Sequence, residues 1–294
     1  SEQHSELLDF LNTPDPVAVF VRAALPMEEA GPGFVYGAAG YELQAVWQEK
    51  MTNAVSAAEL IPGWVPVFSL ETVAERIVRR HIRAGVRVLD PNAVYIDPRV
   101  TIGRGTMLLP GTILRGETAV GCGCTIGPNA VVRDCVIGDE TEINASQVNE
   151  STIGSRTHVG PFAYVRPGCA IGDDIKVGDF VEVKNSAIGD GTKISHLTYV
   201  GDSDVGRKVN FGCGTVTTNY DGVKKYRCTI EDGAFIGCNT NLVAPVTVGA
   251  GSYIAAGATI TKDVPADALA VARAKQENKE GWAKRRRKLY GQEH

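Results

Sequence analysis

The sequence predicts a mainly β protein whose central part is a parallel β-helix of triangular section, and three observations carry that prediction. First, aliphatic residues recur at every sixth position: Ile96, Ile102, Leu108, Leu114, Val120, Ile126 and Val132. After some five-residue steps the series resumes at Ile153, Val159, Val165, Ile171, Val177 and Val183, and again at Ile230, Ile236, Leu242, Val248, Ile254 and Ile260. Second, the position two before each aliphatic is small or β-branched, as at Thr106, Thr112, Thr118, Cys124, Ala130, Cys135 and Thr141. Third, most of the 33 glycines lie after residue 100, many directly behind the aliphatic, as in the "IG" pairs at 102, 126, 137, 153 and 171. No helical face has that period, but a short strand that turns a corner every sixth residue does.

Three such hexads close a coil of about 18 residues, and each coil rests on the last at a strand spacing of roughly 4.8 Å. The aliphatic at i and the small residue at i−2 point inward, while i−1 and i+1 point outward. The repeat spans residues 94–264. Ahead of it, "LETVAERIVRRHIRAGV" (70–86) reads as an amphipathic helix with Val73, Ile77, Val78 and Ile82 on one face, so 70–93 is a capping helix and entry to the prism. Residues 1–69 form an N-terminal segment of helical or mixed α/β character. In it "LQAVWQEKMTNAVSAAEL" reads as helix and "VAVFV" as strand, with neither a GxGxxG fingerprint nor a P-loop. Residues 265–294 are a basic tail, with eight basic and two acidic residues between Val271 and Lys288.

Composition narrows the function. The chain of 294 residues is 44% hydrophobic and 22% charged, the balance of a soluble globular protein. A formal net charge of -4 argues against general nucleic-acid binding. No apolar run reaches the about 18 residues that a membrane span needs, and the start lacks a secretory pattern, so a cytoplasmic protein is expected. The seven cysteines include no CxxC pair, which speaks against a disulfide framework or a zinc knuckle. Cys124, Cys135, Cys169 and Cys228 occupy the inward small site. Cys122, Cys213 and Cys238 fall two after the aliphatic, near the corners.

With the repeat as a ruler, residues of successive coils can be stacked. Val165 and Val183 are three hexads apart, so Arg166 and Lys184 lie one above the other on an outer face. With no acidic residue in their column, the two cations repel unless an anion sits between them, and guanidinium plus ammonium suits a phosphate. The alternative is two solvated surface charges. Tyr199 precedes Val200, the next aliphatic of that series, and His196 sits around the adjacent corner. Above His196 come Cys213, Cys238 and Ala256, provided that the stretch from Thr218 to Thr229 loops out. Its "TNYDGVKKYRCT" breaks the period and is turn-prone. One edge therefore gathers a cation pair, a tyrosine, a histidine, the outward Asn210 and a polar loop. The other histidines read as solvated: His4 and His294 are terminal, His81 lies in the basic helix, and His158 is an isolated outward residue.

Read together, "FAYVRPG", "GDFVEVKNS", "ISHLTYVGD", "VNFGCGTVTTNYDG" and "NLVAPVTVGAGSYIAAGATIT" carry a family resemblance. From about Leu70 to Lys288 the chain resembles the acetyltransferase domain of the bifunctional N-acetylglucosamine-1-phosphate uridylyltransferase/glucosamine-1-phosphate N-acetyltransferases, within the hexapeptide-repeat acyltransferase superfamily. The resemblance implies a left-handed prism and a homotrimer with sites between subunits, the tail of one reaching the next. It also implies transfer of acetyl from acetyl-CoA to the amine of glucosamine 1-phosphate, on the route to UDP-N-acetylglucosamine.

Residue by residue, it implies His196 as general base, Arg166, Lys184 and Tyr199 around the sugar phosphate, and Asn210 at the sugar. Asn219, Tyr220, Ala256 and Arg273 would line the acetyl-CoA side. Cys213 and Cys238 stand there too, where the family usually has alanine and serine, so a hydroxyl contact is lost at Cys238. The chemistry agrees independently, since an ammonium cannot attack a thioester until a base removes its proton, and imidazole is suited to that. No metal is required.

No counterpart of the family's uridylyltransferase half is expected in this sequence. The glycine-rich "AGPGFVYGAAGYE" lacks the basic residues that would neutralise a triphosphate, so acetyl transfer alone is expected. Three other readings compete. A hexapeptide acyltransferase for another amine or hydroxyl would not need the cation pair and the NYDG loop. A metalloenzyme of the γ-carbonic-anhydrase type needs three converging histidines. A non-catalytic β-helix serving assembly or regulation needs no such edge.

Overall fold

The computed structural model of the chain describes residues 34–36, 42–44 and 70–292. Phe34–Tyr36 and Glu42–Gln44 pair as two short antiparallel strands. Leu43 and Gln44, expected at the start of a helix, therefore lie in a strand. The rest of that helix and "VAVFV" fall outside the described residues.

From Arg87 to Ala270 the chain winds as a parallel β-solenoid with three flat faces. The first face has 11 strands, from Arg87–Val88 to Leu269–Ala270; the second has 10, from Tyr95–Ile96 to Thr259–Ile260; the third has 9, from Thr101–Ile102 to Val246–Val248. Successive strands of the chain visit the faces in turn, and every strand pair on a face is parallel and in register, as in Val165 with Val183 and Val183 with Val200. The strand ladder thus reaches a little beyond the six-residue pattern at each end.

The periodic aliphatics fill the core. Leu108, Leu114, Ile126, Val132, Val165, Val183, Ile194, Ile236 and Leu242 are fully buried, and Ile102, near the base, is only partly covered. Full burial of a side chain of this size stabilises by about 1.5–3 kcal/mol. The inward threonines do a second task. Thr106 Oγ1 donates to the Gly121 carbonyl at 2.8 Å and accepts from the Cys124 N–H at 3.1 Å, and Thr157 repeats this with Gly172 and Ile175. A hydroxyl at i−2 satisfies the backbone groups that a corner takes out of the ladder, which is why threonine is so frequent there.

At one corner, aspartates cap the coil below. Asp139 Oδ1 accepts from Cys122 N–H at 2.7 Å, Asp173 from Ser155 N–H at 2.8 Å, and Asp232 from Arg207 N–H at 2.8 Å. The four inward cysteines are buried, and Cys122, Cys213 and Cys238 are exposed.

Helix α1 (Leu70–Arg83) packs on the strands Arg87–Val88 and Tyr95–Ile96 and so covers the open base of the prism. Ile77 and Val78 are buried as expected. Ile82 is not: it is 40% exposed, and His81, which reads as solvated in the sequence, takes the inward place at 5%. The covered arc passes through residues 77, 78 and 81, one step short of Ile82. Burial, with Arg80 beside it, pushes the His81 imidazole down to about 4, so the ring is neutral at pH 7.

At the other end, the exposed helix α2 (Trp282–Leu289) carries Arg286 between the rings of Trp282 and Tyr290, at 5.4 and 5.0 Å. Among the described residues no helix is long and apolar enough to cross a membrane.

Candidate functional site at one corner of the prism

The corner that joins the first face to the second carries His196, at the end of the strand Lys193–His196. The register places Asp179 directly beneath it, and its Nδ1 lies 2.6 Å from Asp179 Oδ1. Three neighbours rise above the imidazole in the order that the repeat predicts: Cys213, Cys238 and Ala256. The ladder that stacks them runs through Gly214 N–H to Leu197 C=O (3.0 Å), Asn239 N–H to Cys213 C=O (2.8 Å) and Gly257 N–H to Cys238 C=O (2.8 Å).

Among the described residues the N–H groups of Cys213, Cys238 and Ala256 donate to no protein acceptor. They form a row of backbone donors at coil spacing, suited to a chain of amide carbonyls. Arg273 closes the top of this column, its Cδ 3.7 Å from where a Cβ on Gly257 would stand.

Around the corner, on the second face, Arg166 and Lys184 stack as predicted, since Val165 pairs with Val183. Their own column holds no acidic residue, as expected, but the inferred unrelieved repulsion is corrected, because each cation has an acidic partner. Arg166 Nη1 is 2.9 Å from Glu182 Oε1, and Lys184 Nζ is 3.3 Å from Asp202 Oδ2. The acids come from neighbouring columns, which a count along a single column passes over: Glu182 projects two residues before Lys184, and Asp202 sits at the next corner with φ of 48°.

Asp202 is the centre of this cluster. It also accepts from Asn185 Nδ2 at 2.5 Å and from Asn219 Nδ2, and Asn219 Nδ2 reaches the Tyr199 hydroxyl at 3.4 Å. Burial raises the Asp202 carboxyl, but the two amides and Lys184 outweigh it and hold the group below the ordinary carboxylate range. Tyr199 lies flat across Gly201: a Cβ there would stand 2.2 Å from its hydroxyl, so only glycine leaves room for the ring.

The predicted loop is present, with narrower limits. Thr218 ends one strand and Cys228 begins the next, so the excursion is 219–227. Asp221 Oδ1 accepts from the N–H of Val223 and of Lys224, both at 2.7 Å, and Arg227 returns the chain to the prism through Asp204, at 2.9 and 2.6 Å. The loop brings Lys225 beside Lys184. That contact pushes Lys225 below the usual lysine range, while Lys184, which also has Asp202, is held above it. Lys225 thus adds a third basic side chain beside the Arg166–Lys184 stack.

Asn219, expected on the acetyl-CoA side, has its amide within the Asp202–Tyr199 cluster. Tyr220, expected beside it, is exposed on the loop, its hydroxyl donating to Gly222 C=O at 2.6 Å. Asn210 lies on the first face, in register between Lys193 and Phe235. His158 is not isolated, since its Nδ1 is 3.1 Å from Glu142 Oε2.

Four residues of the site were missed from sequence. Asp179 was within reach of the same ruler, counting down from His196 rather than up. Glu182 and Asp202 needed neighbouring columns, and Lys225 lies where the period is broken.

Comparison with known proteins agrees with this architecture. A family model described as the GMPPB C-terminal domain matches residues 90–195, and one described as bacterial transferase hexapeptide (six repeats) matches residues 227–262. Residues 227–262 thus carry the repeat of the hexapeptide transferase family, and the chain is similar to that family. The chain is a homologue of the bifunctional GlmU proteins: it is 54% identical over 211 residues to that of Geobacillus sp. (strain WCH70) and 56% identical over 211 residues to that of Alkaliphilus oremlandii (strain OhILAs). Each match covers 72% of this chain and 46% of the relative, so the chain spans about half the length of the curated relatives it matches. Among solved structures, an Arabidopsis UDP-N-acetylglucosamine acyltransferase aligns with a TM-score of 0.37 at 19% identity, over 63% of this chain and 69% of that one.

Proposed function

We propose that the chain transfers acetyl from acetyl-CoA to the amine of glucosamine 1-phosphate, with His196 as general base. The observation that carries this reading is the juxtaposition across one corner. A histidine–carboxylate pair with a row of unused backbone donors above it adjoins a cation cluster built from Arg166, Lys184 and Lys225.

Asp179 accepts the Nδ1–H of His196 and so leaves Nε2 as the basic nitrogen. Nε2 takes a proton from the sugar ammonium, and the freed amine attacks the thioester carbonyl carbon. Cys213 N–H is placed to donate to the developing oxyanion. As the C–S bond breaks, the imidazolium returns its proton to the departing sulfur, and the second proton of the attacking nitrogen is released to solvent to leave the neutral amide. Arg166, Lys184 and Lys225 hold the phosphate, with Tyr199 and Asn210 around the sugar. Cys213, Cys238, Ala256 and Arg273 line the acetyl-CoA side, with Tyr220 on the loop beside them. Asn219 positions Tyr199. The same reading includes a homotrimer in which a neighbouring prism completes each site, and a cytoplasmic location. UTP turnover is not expected of these residues.

The test is release of free CoA by the purified chain with acetyl-CoA and a panel of amino sugars and their phosphates. Lys184→Ala raises the KM for glucosamine 1-phosphate by about tenfold or more, the usual worth of a charge-assisted contact, and leaves that for acetyl-CoA nearly unchanged. Equal use of glucosamine and its 1-phosphate by the parent protein would show that the cluster is only surface charge.

Activity also survives prolonged EDTA treatment, because amine attack on a thioester needs a base and oxyanion donors but no Lewis acid. Loss on chelation with recovery on zinc would refute this mechanism.

A further inference from the structure

Two exposed thiols stand in register one coil apart. Phe211 pairs with Ile236, Gly212 N–H donates to Ile236 C=O at 2.8 Å, and Asn239 N–H donates to Cys213 C=O at 2.8 Å, so Cys213 lies directly under Cys238. The coils approach closely here: a Cβ on Gly212 would stand 2.8 Å from Cys238 Cα. Strand spacing puts the two Cα atoms roughly 4.8 Å apart, inside the about 4.4–6.8 Å range of natural disulfides. Both thiols are free and exposed at a corner, where their rotamers are not held by packing. The inward cysteines are shielded, and Cys122 stands on a different corner, where its N–H is capped by Asp139.

We infer that Cys213 and Cys238 are an oxidant-responsive pair that closes into a disulfide across the donor side of the site. The oxidant class is a hydroperoxide. One thiolate attacks a peroxide oxygen, the O–O bond breaks, hydroxide leaves, and a sulfenic acid forms on that sulfur. The second thiolate attacks the sulfenic sulfur; the S–S bond forms, the S–O bond breaks, and a second hydroxide leaves. The two sulfurs together lose two electrons, which reduce one peroxide to two waters once protons are taken up. The bridge draws both corner residues out of the column directly above His196, where the N–H groups of Cys213 and Cys238 would meet the acyl donor. Thiols return the pair to its open state by exchange.

The effect on turnover rests on the acetyl-transfer reading; formation of the bridge does not. The experiment therefore has two readouts on the full chain carrying Cys122→Ser, treated with hydrogen peroxide and quenched with an alkylating agent. Peptide mapping by mass spectrometry reads the link, and CoA release reads activity. The expected result is a Cys213–Cys238 peptide and a loss of activity of about tenfold or more, both reversed by dithiothreitol. Cys213→Ala and Cys238→Ser, each compared with its own untreated rate, lose that reversible response.

Separate sulfinic acids at the two positions, or no reaction at either, would overturn the pair. A quantitative bridge with unchanged turnover would overturn its role as a switch. If untreated chain releases no CoA with any acceptor, the acetyl-transfer reading fails, and the mapped link still decides whether the pair closes.

Discussion

His196→Ala lowers turnover roughly 10²–10⁴-fold, the usual contribution of a positioned general base, while the affinity for the sugar phosphate changes little. The asymmetry follows from the layout, because the imidazole stands at the corner and the cation cluster on the adjoining face. Asp179→Asn has a smaller effect on turnover of a different kind. An amide can donate to Nδ1 as well as accept from it, so part of the population holds the wrong tautomer and Nε2 carries the proton. The KM for both substrates stays near the parent value.

The pH dependence has a definite sign. The hydrogen bond with His196 holds the Asp179 carboxyl below its ordinary range. A depressed carboxylate keeps its partner above the unfolded value of about 3.9 and loses it as pH falls through the lower folded value, so Asp179 stays charged wherever the enzyme is assayed. The alkaline side of the kcat profile is therefore unaffected by Asp179 titration. Turnover of His196→Ala close to the parent at neutral pH would remove His196 from the mechanism.

The repeat was legible because burial enforces it. An inward position in a coil this narrow accepts an aliphatic or a small residue and little else, so Leu108, Val165 and Ile194 write the period into the sequence. The column from His196 to Ala256 was legible for the same reason, once the loop was set aside. What stayed hidden lies off the period. Lys225 is carried by the excursion 219–227, whose path is set by Asp221 and Arg227 and not by core packing. Asp202 and Glu182 meet their cations across columns, and long side chains choose such partners by reach, which a backbone ruler does not measure. His81 shows the converse. A titratable residue in a run of arginines reads as solvated, yet the helix turns it inward because its neighbour Ile82 falls just off the covered arc.

Asp202→Ala is expected to cost about 2–3 kcal/mol of stability, read as a lowered denaturation midpoint. The carboxylate is buried, and its removal leaves Lys184 Nζ and the amides of Asn185 and Asn219 without their shared acceptor. The figure is placed below the full cost of breaking a buried ion pair because the Lys184 side chain keeps 18% of its surface in water. Function falls with it, since Lys184 loses the group that holds it over Arg166, and Asn219 no longer braces the Tyr199 hydroxyl. The KM for the sugar phosphate should rise at least as far as in Lys184→Ala. Asp202→Asn keeps an acceptor oxygen and loses the charge, so its stability should lie between those of the parent and Asp202→Ala. The parent carries an acid signature that the variant lacks. A carboxylate held below its usual range contributes stability that is complete above about pH 3.9 and is lost as pH falls through the lower folded value. The stability difference between parent and Asp202→Ala should be constant from neutral pH to about pH 5 and shrink below about pH 4. A variant as stable as the parent at neutral pH, with an unchanged KM, would show that Asp202 organises neither the corner nor the cation cluster.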